Sequence, residues 1–230
     1  MKSLNLEREV DVEYRIKSNI GDLKIRNITI SDIPKIVDLQ KASFPDMATY
    51  GMIWPPFFLR SHIKIFPEGQ LIVEVDGRIV GSSSTLMVSL SPNYAEHSWD
   101  EITGQGLFTN HDPSGDTLYG ADISVHPKFR NKGIATTLYD IRKQMTIRMN
   151  LKRIVAGGRL YNYYIYAGRM SAQEYAKKVV KGKLKDPVLS FQLKNGFRFI
   201  KVLNNYLYDK RSLNYASFIE WLNPHHRVEP

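Results

Sequence analysis

The sequence predicts a mixed α/β domain, and three observations carry that prediction. Asp76-Gly77, a strong two-residue turn signal, lies between the apolar runs 70–75 and 78–82 and indicates a hairpin. A strand, a short loop and a helix follow one another over residues 117–149. Further strand-like and helical segments alternate after that unit. This order is typical of a mixed sheet with helices packed against it.

The composition narrows the function classes. The chain has 230 residues and no cysteine, which excludes disulfides, a thiol nucleophile and a cysteine-bound metal. The net charge is +9, and residues 121–230 hold 21 Lys and Arg against 7 Asp and Glu. A basic half favours an anionic partner, either a phosphorylated cofactor or nucleic acid. With neither an apolar leader nor an apolar run of about 18 residues, we expect a cytoplasmic protein without a membrane span.

The segments before the hairpin show the start of the domain. Residues 1–22 are expected to be a charged extension ahead of a domain that covers residues 23–222. Residues 24–28 alternate as a strand, and the helix that follows ends at Phe44-Pro45. A second helix, rich in aromatic residues, is expected over residues 54–66.

Residues 91–116 are rich in Pro, Asn, Gly and Asp, and we expect a long inserted loop with Trp99 and Phe108 as aromatic anchors. His97, His111 and His126 lack the spacing of metal ligands, so we predict no metal site.

The central strand, loop and helix carry the clearest functional signal. Pro127 ends a β-rich run, and apolar residues recur at helical spacing from Ile134 onward. The loop between them therefore points unpaired backbone N–H groups and a partial positive charge at whatever lies above it. Arg130 and Lys132 add two full charges, and Gly133 allows close approach. A phosphate or pyrophosphate is the expected ligand.

The last part of the chain supplies further strands and a second insertion. Residues 152–158 are predicted to form a strand parallel to the central one. The insertion 159–184 combines tyrosines with lysines, a composition found in single-stranded nucleic-acid binding and also in lids and oligomer surfaces. Residues 185–197 are predicted to hold a short helix ended by Asn195-Gly196. Strands are predicted at 199–203, 206–208 and 217–221, before a tail at 223–230.

The pattern Arg130-x-x-Gly133-x-Ala135 resembles the Arg/Gln-x-x-Gly-x-Gly/Ala signature of the GNAT N-acetyltransferases. The resemblance covers roughly residues 23–222 and is strongest at 117–136 and 185–197. It implies the GNAT fold, a mixed central sheet that splays open and is flanked by helices. Residues 185–224 look most like GNAT domains that are fused to carbon–nitrogen hydrolase domains, although we expect no hydrolase segment within these 230 residues.

The resemblance also implies a cofactor, acetyl-CoA, and residues that bind it. These are Ile123, Val125, Arg130, Asn131, Lys132, Gly133, Ile134 and Ala135. A general base must take a proton from the attacking amine, and the strand residues Asp122, Tyr119 and Glu74 are the candidates. Two positions depart from the family pattern. The family's frequent asparagine aligns with Lys185, and the tyrosine that protonates the leaving thiolate aligns with Gln192, which cannot act as an acid.

Three functions stay open at this point. The favoured one is an N-acetyltransferase that carries acetyl from acetyl-CoA to a primary amine by direct attack in a ternary complex. The second is a catalytically weak CoA-binding regulatory module, which Lys185 and Gln192 keep open. The third and least favoured is a basic nucleic-acid-binding protein. For the N-acetyltransferase function, the expected partners are a small-molecule or peptide amine and a second copy of the chain in a homodimer.

Overall fold

A computed structural model describes residues 13–227. The strands are β1 (Glu13–Ser18), β2 (Gly21–Asn27), β3 (Gln70–Val75), β4 (Arg78–Val88), β5 (Thr117–Val125), β6 (Arg153–Arg159), β7 (Arg198–Leu203) and β8 (Ala216–Leu222). The helices are α1 (Ile33–Ser43), α2 (Pro45–Thr49), α3 (Pro56–Ile65), α4 (Trp99–Thr103), α5 (Ile134–Arg148), α6 (Ala172–Val180) and α7 (Leu189–Lys194). No helix within residues 13–227 has the length and apolar character that a bilayer crossing requires.

All eight strands belong to one sheet, in the order β1-β2-β3-β4-β5-β6-β8-β7. Neighbouring strands run antiparallel except β5 and β6, which are parallel and joined through α5. This single parallel pair lies near the centre of the sheet. It is therefore flanked on both sides by strands that hold its two members in place.

Helices cover both faces of the sheet. On one face, α1 and α3 pack Ile36 and Leu59 against Ile72 and Ile79 of the hairpin strands. On the other face, α5 packs Leu138 against Val73 and other alternate positions of the same strands. The helices α6 and α7 also lie on this second face, beside β7. Because strand side chains alternate between faces, each strand contributes to two separate cores.

Most of the predicted elements are present. The Asp76-Gly77 hairpin is confirmed, with Asp76 and Gly77 both at positive φ. The aromatic-rich helix is α3, and the helix predicted within 185–197 is α7. The mixed sheet flanked by helices confirms the predicted fold class.

Three segments differ from expectation. Residues 206–208 are not a strand; they form a loop in which the Tyr206 N–H donates to the Asn214 carbonyl. The stretch 91–116 is not only loop, because Ser98 and Glu101 form a capping box that starts α4. Part of the expected N-terminal extension is β1, paired along its length with β2. Residues 1–12 of that extension and 228–230 of the tail lie outside the described chain.

The parallel pair β5–β6 separates halfway along its length. The two strands pair over four positions only, from Thr117 with Arg153 to Gly120 with Ala156. Beyond them β5 stays with β4 and β6 stays with β8. A bulge in the β4–β5 ladder leaves Ala121 without a register partner at the point of separation, and a bulge of this kind bends its strand. We call this point the fork.

Candidate active site

A cleft of about 450 Å³ occupies the fork. Side chains from α5, from α7 and from the residue before α7, on one face of the sheet, form what we call the helix wall: Tyr139, Arg142, Val188 and Gln192. Side chains from the opposite face form the aromatic wall: Met47, Met52, Trp54, Phe58, Trp99 and Tyr208. The cleft is thus accessible from both faces through the gap between two strands.

Three glycines keep the base of the cleft open. A Cβ at Gly157 would lie 2.2 Å from the Tyr206 ring, and one at Gly158 would lie 2.4 Å from the Gln192 amide. A Cβ at Gly120 would come within 3.0 Å of the Arg142 guanidinium. The absent methyl groups therefore leave space for three polar side chains to reach the fork.

The loop between β5 and α5, residues 126–133, is built as a cradle of backbone donors. We call it the basic loop. Asn131 and Gly133 have φ of 60° and 86°, and Gly133 is the N-cap of α5. No side chain caps this helix, and a Cβ on Gly133 would meet nothing within 4 Å. The first N–H groups of α5 therefore point into open space, as an anion site at a helix N-terminus requires.

The charged residues of the basic loop have distinct surroundings. Arg130 is exposed, and its Nη2 donates to the Ser43 carbonyl at the end of α1 at 2.6 Å. Lys132 is exposed, with its ammonium 5.4 Å from the centre of the Phe129 ring. Arg130 therefore ties α1 to the loop, whereas Lys132 extends toward solvent. Asn131, Gly133, Ile134 and Ala135, the other predicted loop ligands, lie in or next to the cradle.

The predicted β5 residues lie on the open edge of the fork. Ile123 and Val125 follow the fork and pair with β4 on one side, at Ser83 and Gly81. Within the described chain, no strand pairs with their other edge. Ile123 lines the cleft. The Val125 carbonyl accepts from Arg130 Nε at 3.4 Å.

Asp122 is the only predicted base candidate whose side chain lines the cleft directly. It is half-buried, and its carboxylate accepts a hydrogen bond from Ser124 Oγ at 2.8 Å. Burial raises the pKa of Asp122 to about 6, against the opposing effects of the Ser124 hydroxyl and the charges of Arg142 and Arg159. A carboxylate with this pKa is a competent proton acceptor near neutral pH.

Tyr119 is fully buried and reaches the cleft through Tyr206. The two hydroxyls lie 2.9 Å apart, and the Tyr119 hydroxyl lies 3.1 Å from His97 Nε2. His97 Nδ1 is 3.0 Å from the Ala95 carbonyl, which can only accept, so Nδ1 carries the proton and Nε2 accepts from Tyr119. Tyr119 consequently accepts from Tyr206, a cleft residue, and the chain of hydrogen bonds is directed outward to half-buried His97.

Glu74, the third base candidate, lies elsewhere. Its carboxylate is 2.8 Å from Arg26, which also binds Asp32 at 2.7 Å. Glu74 is not among the residues that line the cleft. Glu74 was predicted to face the site from its strand. Its side chain instead contacts Arg26.

The two departures from the family pattern have different outcomes. Lys185 is exposed and away from the cleft lining. Gln192 is buried on the helix wall, where its Oε1 accepts from Ser217 Oγ at 3.3 Å. A hydrogen bond from Gln192 tends to lower the pKa of Tyr139, while burial, the larger effect, raises it.

Sequence reasoning missed Tyr139, Arg142 and Tyr206 as cleft residues. Arg142 is 2% exposed; its Nη2 donates to the carbonyls of Ser84, at 2.9 Å, and Asp122, and its Nε has no partner among the described residues. Burial lowers the pKa of Arg142 to about 10. A polar residue among the apolar positions of α5 was the available signal. Tyr206 carried none, since only its long-range contact with Gly157 places it at the fork.

Comparison with known proteins identifies the class. The family model described as "Acetyltransferase (GNAT) family" matches residues 33–164. The Bacillus subtilis (strain 168) protein named "Uncharacterized N-acetyltransferase YkwB" is 43% identical over 87% of this chain and 89% of its own length. The chain belongs to the GNAT family. This confirms the predicted family and enzyme class, an acyl-CoA-dependent N-acyltransferase with a CoA-type cofactor.

Two further relatives refine the comparison. A second B. subtilis protein, named "Probable hydrolase YhcX", is 46% identical over 86% of this chain, which spans only 38% of the YhcX length. Among solved structures, the loading GNATL domain of CurA from Lyngbya majuscula superposes with a TM-score of 0.77 at 20% identity, covering 88% of this chain and 98% of that domain. At this identity the likeness is one of fold.

Proposed function

We propose that this protein transfers an acetyl group from acetyl-CoA to a primary amine, in a ternary complex and without an acyl-enzyme intermediate. The observation that carries this proposal is the continuity of two features. The uncapped N-terminus of α5 lies at one end of a helix whose later residues, Tyr139 and Arg142, line the cleft. From Ile134 to Arg142 the helix rises about 12 Å, so one ligand can lie along it from the basic loop to the fork.

The residues fit acetyl-CoA, which supplies an acetyl thioester when bound. In this proposal the N–H groups of Gly133, Ile134 and Ala135 bind the pyrophosphate, and Lys132 adds charge. Ile123, on the open edge of β5, offers backbone groups to the pantetheine arm in the manner of an added strand. The Ile123 N–H is our candidate donor to the thioester carbonyl oxygen. Asn131 shapes the cradle through its positive φ, and Arg130 fixes the loop to α1.

The proton of the attacking amine has two routes out of the cleft. We assign the first to Asp122, whose carboxylate takes the proton directly. The second is the chain from Tyr206 through Tyr119 to His97, in which Tyr206 accepts a proton as it passes its own to Tyr119. Burial lowers the pKa of His97, which makes its ring a weaker proton acceptor than an exposed histidine. Glu74 has no part in our assignment.

The helix wall supplies a hydroxyl where the family tyrosine is replaced by Gln192. Tyr139 is 6% exposed and lines the cleft on the face of the sheet that carries the basic loop. A hydrogen bond accepted from Gln192 leaves the Tyr139 proton free to be donated into the cleft. We assign Tyr139 as the proton donor to the leaving sulfur.

Thermal unfolding with and without acetyl-CoA tests the proposal. Ligand at about 100 times its dissociation constant should add about 2.7 kcal/mol to the free energy of unfolding. Thiol release with an amine panel then tests transfer. A melt that does not respond to millimolar acetyl-CoA would remove the basis of the assignment.

The weak CoA-binding module is the second candidate, and the replacement of the family tyrosine by Gln192 favours it. Ligand-dependent stabilisation without thiol release from any amine would select it. Nucleic-acid binding by the insertion 159–184 stays the least favoured alternative, and homodimer formation and a cytoplasmic location stay predictions. Direct binding assays, sedimentation and cell fractionation address them in turn.

A further inference from the structure

The aromatic wall is a rigid surface whose residues the transfer chemistry does not use. The Trp54 and Trp99 rings stack with their centres 5.4 Å apart, and Trp54 meets the His62 ring edge-on at 5.1 Å. His62 is buried and bonded to the Gly106 carbonyl at 2.7 Å. Two separate segments of the chain, residues 54–62 and 99–106, therefore hold the two tryptophans in place, which gives the cleft a preformed flat apolar side.

Apolar side chains continue from this wall to the surface. Met52 and Tyr208 line the cleft although they are 37% and 51% exposed, and Tyr50 meets Tyr208 edge-to-face at 6.1 Å. Exposed aromatic groups at the mouth of a cavity mark a ligand site rather than a surface that only faces water. The ligand entering from this face should therefore present an apolar group.

The carboxylates at this mouth can pair with one ammonium group, while the cation of Arg142 is buried on the helix wall opposite. Asp46 and Asp209 are both held by Arg159, at 3.4 and 3.1 Å. Among the described residues lining the cleft, this leaves half-buried Asp122 and exposed Asp100 as the carboxylates without an ion pair. A long polycation needs acidic groups spaced along its length, and a nucleic acid would bring its phosphates against these carboxylates.

We propose that the acceptor is a small primary amine attached to an aromatic or comparably bulky apolar group, with phenethylamine as the simplest probe. This inference rests on the proposed function and adds the substrate class. The ring would lie against Trp54 and Met52, with its nitrogen directed to the fork and Asp122. The volume of about 450 Å³, shared with the acyl end of acetyl-CoA, admits a single small group and not a folded chain.

Conjugates that join both substrates test the inference without any turnover. In each, the CoA sulfur is linked through an acetyl unit to the nitrogen of phenethylamine or of 1,4-diaminobutane, and calorimetry on the full chain compares them with CoA. We expect the phenethyl conjugate to bind roughly tenfold more tightly than the diamine conjugate. Trp54→Ala and the surface variant Met52→Ala should reduce that preference, the former to below about threefold.

Phe57→Ala is the matched control, because Phe57 is exposed next to the wall and does not line the cleft. Equal affinities of the two conjugates, or a tighter diamine conjugate, would overturn the inference while CoA binding stood. If CoA itself does not bind, the proposed function fails, and the inference that rests on it fails as well.

Discussion

The basic loop and the aromatic wall are built in opposite ways. The basic loop relies on backbone groups from one continuous stretch, β5 through α5, with glycine at its turn. The aromatic wall relies on side chains from segments as far apart as Met47 and Tyr208. A shared cofactor can be held by main-chain donors that many sequences supply. Recognition of a particular acceptor needs side chains, so we expect the aromatic wall to determine acceptor specificity.

The largest expected effect comes from Gly133→Asp, which changes the basic loop. The substitution places a carboxylate where we predict a pyrophosphate and strains a residue with φ of 86°. We expect acetyl-CoA affinity to fall by more than about 100-fold, measured by calorimetry.

Gly182→Asp is the matched control for Gly133→Asp. Gly182 is also exposed and left-handed, with φ of 70° and open space around it, but it follows α6 away from the cleft. The Gly182→Asp variant should lose about as much stability as Gly133→Asp and keep its affinity for acetyl-CoA. Unchanged affinity in Gly133→Asp would remove the loop from the site.

Asp122→Asn tests the point where the two walls meet. Acetyl transfer should fall by about 100-fold or more, because the amide cannot accept the amine proton. Wild-type activity should rise with pH through about 6, the pKa of Asp122, and the variant should lack that rise. Comparing both proteins with one amine cancels the titration of the amine itself. A full rise retained in the variant would instead favour the route through Tyr206 to His97.

The same variant changes the pH dependence of stability. The folded-state pKa of Asp122 lies above the ordinary value of about 3.9, so between pH 4 and 6 the native state binds more protons than the unfolded state. Asp122 therefore makes the wild type lose stability as pH rises across that window. Denaturant unfolding should show a smaller loss in Asp122→Asn, and equal slopes would contradict the raised pKa.

Tyr139→Phe, a substitution on the helix wall, should have a moderate effect on acetyl transfer. A thiol has a pKa of about 8.5 and leaves readily, so loss of the proton donor should lower kcat by about tenfold, with little change in KM. The ring contacts with Phe191 and Phe197 are kept. Steady-state kinetics measure the effect, and an unchanged kcat would show that the thiolate leaves unaided.

Glu74→Gln should have the smallest effect on transfer, because Glu74 lies outside both walls. Loss of its ion pair with Arg26 should lower the free energy of unfolding by about 1–3 kcal/mol. Chemical denaturation and a transfer assay measure the two quantities. A loss of activity without a loss of stability would return Glu74 to the list of bases.

How much of the site the sequence could predict follows from the same contrast. The strand, basic loop and helix around Gly133 were predictable because their signals lie within the continuous stretch 117–149. Trp99 was predicted as an aromatic anchor, but its stacking partner Trp54 could not be known from spacing. Tyr206 was mistaken for a strand residue because its position over Gly157 depends on a loop return that local pattern does not encode.

One remaining feature bears on self-association, and it is β1, one of the two outer strands of the sheet within residues 13–227. Along β1, Glu13, Arg15 and Lys17 place charges at alternate positions of a strand exposed on most of its surface. An unpaired sheet margin is a template for a second copy, and regularly spaced charges make that template unattractive. The β1 edge is therefore protected against continuing the sheet from one molecule into the next.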